Sequence, residues 1–369
     1  MRRRDRIDCA SDEIHDLEAL RAYTGLRELR LRVASPHGSA EHTLSDLSPL
    51  AELRELEVVE VPRSRVADLA PLAGLAALRQ LDLSRTRVSD LRPLAGLARL
   101  ASLRLAGSPV QNLSPLSGLS ELADLDVAGT KVASLEPLRG LAELRALDVR
   151  DTPVRDLTPV ADLPAVRNAR RIDLSGARVD DLGALRSATE LEVLRLGGTR
   201  VRDLAPLSAL ATLRALSLAG TPVINLAPLA GLSGLTELNL SRTGVADLAP
   251  LGGLRGLEEL ALAEAPVTDV APLSGLGHPR AAAPGDAGRG RPAARLADAA
   301  AGPQPLADAG ARRHPARDAR QPAVDRPVGD QRQPRLRHRP AAAAPGPAGA
   351  LDGRGRARTG DPHVVSVVL

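Results

Sequence analysis

A single repeating unit recurs along most of this chain and constrains its fold more than any other feature. Each unit contains the motif L-x-L, in which two apolar residues flank a variable one. From Leu81/Leu83 onward the pairs follow at a constant interval, and only the step from Leu147 to Ile172 is longer, by three positions. Because a short unit repeated at a fixed period allows each coil to bury its apolar side only against neighbouring coils, the sequence predicts a solenoid.

The array extends towards the N-terminus beyond these regular pairs. Three further pairs bring the predicted number of strands to twelve: Ile7/Cys9, Leu29/Leu31 and Leu56/Val58. Cys9 then occupies a core leucine position, which favours a small buried hydrophobe over a reactive or metal-binding thiol.

Within each unit, the L-x-L alternation places two side chains inward and the middle one outward, as a β-strand does. A Thr follows, whose hydroxyl can hydrogen-bond inside the turn. The segment D-L-x-P-L then offers Asp or Asn to cap a short helical turn that accommodates Pro. We therefore assign a structural role, and no catalytic one, to the predicted caps Asp90, Asn112, Asp156, Asp203, Asn225, Asp247 and Asp269.

Two consecutive coils carry predicted insertions after their strands. Eight extra residues lie between Leu31 and Leu44, and three between Val58 and Val66. Both leave the same edge of adjacent coils, so we expect them to touch, and insertions of this kind often mark a binding face.

The first insertion contains His37, Glu41 and His42, which invite comparison with a metal site. Their spacing in a loop rich in Gly, Ser and Pro favours solvated surface instead. Three extra residues also precede Ile172, and the segment 167–171 around them is locally basic.

The outward residues of successive strands form a row across the predicted concave face. Asp126, Asp148 and Asp173 are expected side by side in this row, and Asp124 precedes Asp126 on the same face. Since parallel strands lie about 4.8 Å apart, a cationic partner would relieve the repulsion between these carboxylates. The residues predicted to bind the partner are Asp82, Arg104, Asp124, Asp126, Asp148, Asp173 and Arg195.

Two alternatives to this acidic groove stay open at the level of sequence. Nearby arginines can neutralise the row and leave ordinary solvated surface: Arg104, Arg150, Arg171 and Arg195. Stacked carboxylates can also suggest Ca²⁺, but strands alone rarely supply the six to eight oxygen ligands that this ion takes. No metal or other cofactor is therefore predicted.

Composition and motifs argue against several classes of function. The sequence has no P-loop, dinucleotide fingerprint, nucleophile elbow or paired Cys/His cluster. We therefore expect neither an enzyme nor a small-molecule substrate. No run approaches the roughly 20 apolar residues of a membrane helix. The charged N-terminus gives no support for secretion, and the single cysteine is compatible with a reducing compartment, so a cytoplasmic protein is expected.

Residues 277–369 differ sharply from the array. They hold 16 Arg and 8 Asp, a charge of +8, which leaves −4 for residues 1–276, since the whole chain is +4. Leucine becomes scarce, which predicts a disordered tail. Asp286, Asp308, Asp330 and Asp352 nevertheless keep the spacing of the repeat. This retained period favours repeats translated out of frame, and a natural basic arm for nucleic acid or an acidic surface is the alternative.

The unit L-x-L-x-x-T-x-V-x-D-L-x-P-L-x-x-L resembles the leucine-rich repeat of internalins and of leucine-rich regulatory subunits of eukaryotic protein phosphatases. The resemblance covers residues 7–276. It implies an α/β fold: a right-handed solenoid with parallel strands on the concave face and 3₁₀ or short helical turns on the convex face. It also implies that the concave sheet binds a protein partner. A signal peptide, an internalin-type helical cap and a wall-anchoring motif are not recognised.

The sequence therefore predicts a non-enzymatic protein-interaction scaffold of about twelve coils in residues 1–276, with a tail in residues 277–369. The expected partner is a protein of basic character, and nucleic acid is not expected because the positive charge belongs to the tail. Two alternatives are an adhesin-like surface protein whose signal sequence is missing and a decayed, frameshifted product without present function.

Overall fold

Short strands at the predicted spacing dominate the structure. The computed structural model describes residues 5–11, 14–32 and 43–276, together with the backbone of residues 280–281 and 294–295. The strands of these parts, β1 to β14 in chain order, are Arg6–Ala10, Glu28–Arg32, Val58–Glu60, Gln80–Asp82, Ser102–Arg104, Asp124–Asp126, Ala146–Asp148, Arg171–Asp173, Val193–Arg195, Ala215–Ser217, Glu237–Asn239, Glu259–Ala261, Arg280–Ala281 and Ala294–Arg295.

The strands form two sheets of seven instead of one continuous sheet. One sheet has the order β1 to β7, and the other runs from β8 to β14. Every pair of neighbours from β1 to β7 and from β8 to β13 is parallel, and only β13 and β14 are antiparallel. The predicted parallel strand arrangement is confirmed, with an interruption between β7 and β8 that the sequence analysis does not anticipate.

A 3₁₀ turn follows each strand from β1 to β12. These turns are Glu18–Ala22, Ser48–Leu50, Ala70–Leu72, Arg92–Leu94, Ser114–Leu116, Glu136–Leu138, Thr158–Val160, Gly183–Ser187, Ala205–Leu207, Ala227–Leu229, Ala249–Leu251 and Ala271–Gly275. In addition, the short α-helix α1 spans Pro164–Arg167. The predicted caps act as expected. For example, Asp203 Oδ1 accepts the N–H of Ala205 at 2.8 Å, two residues along, and Asn225 does the same for Ala227 at 2.9 Å.

The core is a set of stacked leucine and valine rows. Leu103, Leu125 and Leu194 are 0% exposed, and most of their equivalents are at most 2% exposed. The turn threonines are buried as well, and each donates its hydroxyl hydrogen bond to the carbonyl three residues earlier, for example Thr130 to Val127 at 2.6 Å. Each coil thus satisfies its own buried polar group while sharing its apolar residues with its neighbours.

The predicted register of the third coil is wrong. Val59 pairs with Leu81, and Glu60 pairs with Asp82, so the inward pair is Val59/Val61 instead of Leu56/Val58. Leu56 belongs to the row of leucines that precedes the strand. The outward residue is therefore Glu60, not Glu57. Because Val59 and Leu81 are one regular repeat apart, this coil has no insertion before Val66.

Two other predictions need correction or lie outside the described residues. Cys9 packs against the core but is partly exposed, because β1 is the outermost strand of its sheet. The loop with His37, Glu41 and His42 lies outside the described residues, as does most of 277–369. Within that tail, the backbone of Arg280–Ala281 continues the parallel sheet by one strand. Disorder of the tail stays a prediction.

Candidate functional site

A row of outward-facing residues crosses the strand face, one from each strand from β1 to β12. The register gives the row as Asp8, Arg30, Glu60, Asp82, Arg104, Asp126 and Asp148 on the first sheet, then Asp173, Arg195, Ser217, Asn239 and Ala261 on the second. We call these residues the strand row. It contains six of the seven residues predicted to bind a partner, and Asp124 lies beside it at the start of β6.

The acidic residues of the strand row have a structural role that the sequence analysis missed. Asp126 Oδ1 accepts the N–H of Ala128 at 3.0 Å and so closes the turn at the exit of its strand. The same bond, two residues along the chain, recurs at four further positions, at Asp82, Asp148, Asp173 and Asn239. Asp or Asn directly after the first inward leucine is the sequence signal for this turn.

Asp8 and Glu60 of the row pair with Arg32 and Arg30, and two of the carboxylates predicted to bind a partner also have a cationic neighbour. Arg150 binds Asp148 through two nitrogens, with Nε at 2.9 Å and Nη2 at 2.5 Å. Nη1 of Arg195 lies 3.6 Å from Oδ2 of Asp173. Neutralisation by arginine, the alternative to an acidic groove, therefore applies at these two carboxylates.

Asp126 and Asp124 are less well compensated. Among the described residues neither makes an ion pair, and Asp124 accepts one hydrogen bond, from the Ser102 hydroxyl at 3.2 Å. Burial raises the pKa of Asp126 above its ordinary value of 3.8, and the charges of Asp148 and Asp124 raise it further, against the hydrogen bond from Ala128 and the charge of Arg150. Asp82 on β4 likewise accepts only its turn bond and makes no ion pair among the described residues, so the uncompensated negative charge of the row lies at β4 and β6.

Asp126→Asn is expected to increase the free energy of unfolding at neutral pH, because the amide retains the Oδ1 acceptor for Ala128 and removes the buried charge. With a raised pKa, the folded protein takes up a proton more readily than the unfolded chain. The cost of the charged carboxyl is therefore present above the folded pKa and disappears as the pH falls through it. In denaturant unfolding from neutral pH to about pH 3, the difference in free energy of unfolding between the variant and the parent protein should become smaller.

Asp203→Asn is the control for this measurement. It removes the same charge and retains the same kind of turn acceptor, but it lies at an exposed 3₁₀ cap. If Asp126→Asn were still more stable than the parent protein by the same free energy of unfolding at acid pH, the raised pKa of Asp126 would be contradicted.

The acidic row is interrupted where the sequence predicts three neighbouring carboxylates. Asp126 pairs with Asp148, as predicted, but Asp148 and Asp173 lie on β7 and β8, which belong to separate sheets. The expectation that these two aspartates occupy adjacent hydrogen-bonded strands is therefore wrong. Three extra residues before Ile172 and the short helix α1 replace the direct entry into a strand that other coils have.

The gap between β7 and β8, which we call the seam, is an open cavity of about 540 Å³. Its apolar lining includes Leu147, Val160, Val166, Ile172 and Leu185. Its charged lining consists of Asp124, Asp148 and Asp173 with Arg145, Arg150, Arg170 and Arg171. Among the predicted partner-binding residues, the structure thus brings Asp124, Asp148 and Asp173 to one cavity.

Within residues 5–11, 14–32 and 43–276, no group of three or more His, Cys, Asp or Glu side chains is arranged to hold a metal ion. In the same part of the chain, no helix is both long and apolar enough to span a bilayer.

No protein-family model and no curated protein sequence matches this chain. Solved structures do match it. An internalin (inlF) of Listeria monocytogenes superposes with a TM-score of 0.64 at 23% identity, covering 75% of this chain and 86% of the internalin. The leucine-rich repeat protein LIC12759 of Leptospira interrogans gives a TM-score of 0.57 at 16% identity, covering 68% of this chain and 70% of that protein. The fold is a leucine-rich repeat solenoid.

A plant receptor ectodomain shares this solenoid. The leucine-rich repeat ectodomain of GASSHO1/SCHENGEN3 from Arabidopsis thaliana, solved in complex with CASPARIAN STRIP INTEGRITY FACTOR 2, has a TM-score of 0.59 and 20% identity. The match covers 75% of this chain and 36% of the receptor chain. Solenoids of this fold thus occur in bacterial and plant proteins, and the similarity establishes architecture alone.

Proposed function

We propose that this protein is a non-enzymatic scaffold that binds a basic protein partner on its strand face. The proposal rests on the cluster of aspartates on β6 and β7. Two of them, Asp124 and Asp126, make no ion pair among the described residues. Burial and neighbouring carboxylates raise the pKa of Asp126. A cation bound there would offset the repulsion that the folded chain sustains alone.

The geometry of the solenoid supports a protein partner over a small molecule. The strand row spans both sheets and presents side chains at each strand, so a ligand that contacts several coils has to be extended or large. The seven predicted residues keep this role as a proposal. The GASSHO1/SCHENGEN3 ectodomain, solved in complex with CASPARIAN STRIP INTEGRITY FACTOR 2, is an example of a binding role for this fold.

The double variant Asp126→Asn/Asp148→Asn is expected to slow association with the partner by roughly fivefold to tenfold at low salt, because charge acts mainly on the rate of association. Asn retains the Oδ1 acceptor that closes each turn, so the fold should be preserved. The partner would first be isolated from a cell extract on the immobilised full chain. Its association rate would then be measured by interferometry over a series of salt concentrations.

The matched control is Asp203→Asn/Asp247→Asn, which removes two charges at 3₁₀ caps, away from the strand row, and retains both cap acceptors. This control should associate like the parent protein. Equal rates for the parent and the strand-row variant at low salt would refute capture of the partner by the acidic residues.

A further inference from the structure

The seam exposes two strand edges whose hydrogen bonds are unmade. At regular junctions the inward residue at the strand exit donates its N–H to the next coil, as Val127 does to the Asp148 carbonyl at 2.9 Å. The equivalent bond from Val149 to Asp173 is absent. One backbone bond, from Asp151 N–H to the Ser175 carbonyl at 2.9 Å, joins the two sheets just beyond these strands.

A second set of bonds is missing at the entry of the strands. Elsewhere one carbonyl accepts two successive N–H groups of the next coil, as the Ala101 carbonyl does from Ala123 and Asp124. The Arg145 carbonyl has no such donors from residues 170 and 171. The two sheets are therefore joined just beyond the strand exits, at Asp151 and Ser175, and the seam is open along β7 and β8, with backbone donors and acceptors on both sides.

The apolar side of the seam is incompletely covered. Leu147 and Ile172 are partly exposed, whereas the equivalent Leu125 and Leu194 on their other sides are 0% exposed. An apolar side chain that entered between Leu147 and Ile172 would restore the leucine row that runs through every other junction. The cavity volume of about 540 Å³ accommodates a short extended segment.

The charges around the seam change along the strands. At the entry level it is flanked by Ala146, which is small, and by Arg171, for which no ion pair is found among the described residues. At the exit level it is flanked by the carboxylates of Asp148 and Asp173, whose cationic neighbours are Arg150 and Arg195. A strand between β7 and β8 would thus meet an unpaired arginine first and two carboxylate acceptors two residues later, on the same face.

We propose that the seam binds an extended segment of a protein partner, which inserts parallel to β7 and β8 with an acidic, an apolar and a basic residue in succession. The acidic residue lies beside Arg171, the apolar one between Leu147 and Ile172, and the basic one between Asp148 and Asp173. This inference deepens the proposed function by naming where a partner binds and in what form. Main-chain bonds to both open edges provide affinity, and the three side chains provide specificity.

The first test is amide hydrogen exchange on the full-length protein. Without a ligand, the Val149 amide should exchange at least about tenfold faster than the Val127 amide, because only the latter is bonded to the next coil. A blocked peptide with the core glutamate–valine–lysine between glycines should then protect the Val149 amide and leave the Val127 amide unchanged. Equal exchange of the two amides in the free protein would show a closed seam and overturn the proposal.

Peptide analogues distinguish strand insertion from non-specific binding. Methylation of the valine nitrogen removes a main-chain donor and should abolish protection of Val149. Replacement of the lysine by glutamate places a third acid between Asp148 and Asp173 and should weaken binding. Equal protection by all three peptides would refute insertion as a strand.

Arg171→Glu should weaken binding of the glutamate–valine–lysine peptide by about fivefold, since it replaces an attraction by a repulsion. Arg202→Glu, a likewise exposed arginine in the next coil that does not line the seam, is the matched control and should bind normally. Asp126 does not line the seam, so Asp126→Asn tests capture by the row separately. If Asp126→Asn leaves partner association unchanged while the peptide still protects Val149, the acidic-row proposal fails and the seam proposal stands.

Discussion

Leu125→Ala is expected to lower the free energy of unfolding by about 2–5 kcal/mol, and Leu147→Ala by clearly less. The two leucines occupy the same position of successive coils and pair directly in the sheet. Leu125 is 0% exposed, and its strand is paired with a neighbouring strand on each side. Leu147 borders the seam and is partly exposed, so its truncation removes fewer contacts and leaves a space that solvent already reaches.

Denaturant unfolding of both variants and of Arg155→Ala, a change at an exposed loop position, measures this difference. The Arg155 variant should unfold like the parent protein. Equal losses for Leu125→Ala and Leu147→Ala would indicate that the seam is packed in solution like any other junction. A Leu125 variant as stable as the Arg155 variant would show that the assigned inward register is wrong.

The repeat itself made most of the fold predictable from the sequence. Inward leucines, turn threonines and capping aspartates recur in so many coils that each assignment is supported by its equivalents in the other coils. Thr130 and Asp203 illustrate this, since both make the hydrogen bonds that their repeat positions predict. A solenoid repeats its local interactions, so one correctly assigned coil determines its neighbours.

The predicted register was wrong in the third coil, because two pairs there fit the repeat equally well. Leu56/Val58 and Val59/Val61 both match an apolar–x–apolar pair, and the leucines that precede the strand, three residues apart, lead directly into it. Pairing with Leu81 decides between the two readings, and that information lies in the neighbouring coil. Counting back one regular repeat from Leu81 would have given the correct register.

The candidate site was less predictable because its geometry depends on a break that no local motif encodes. The sequence shows three extra residues before Ile172, but it does not show that they separate β7 from β8. Nor does it show that Asp126 and Asp148 each hold a turn, since an outward aspartate looks the same whether it binds a partner or its own backbone. A cytoplasmic location, the absence of catalysis, the exclusion of nucleic acid and an out-of-frame tail stay predictions.

Gly176→Ala is expected to cost about 1–3 kcal/mol of stability and to widen the seam. Gly176 has φ +72°, a left-handed conformation that disfavours a side chain. A Cβ at this position would in addition collide with the Asp151 carboxylate and approach the Asp151 Cα to 3.2 Å. Asp151 donates the single backbone bond between the two sheets at the strand exits, so relief of the collision should weaken that bond.

Gly129→Ala separates the two causes. Gly129 has a similar φ of +66°, but a Cβ there would meet nothing closer than 3.7 Å. Because Arg85 and Arg242 adopt the same conformation at equivalent positions, the backbone cost alone is tolerated in this fold. Gly176→Ala should therefore be less stable than Gly129→Ala and should speed exchange of the Asp151 amide, whereas equal losses and unchanged exchange would show that backbone conformation accounts for the entire effect.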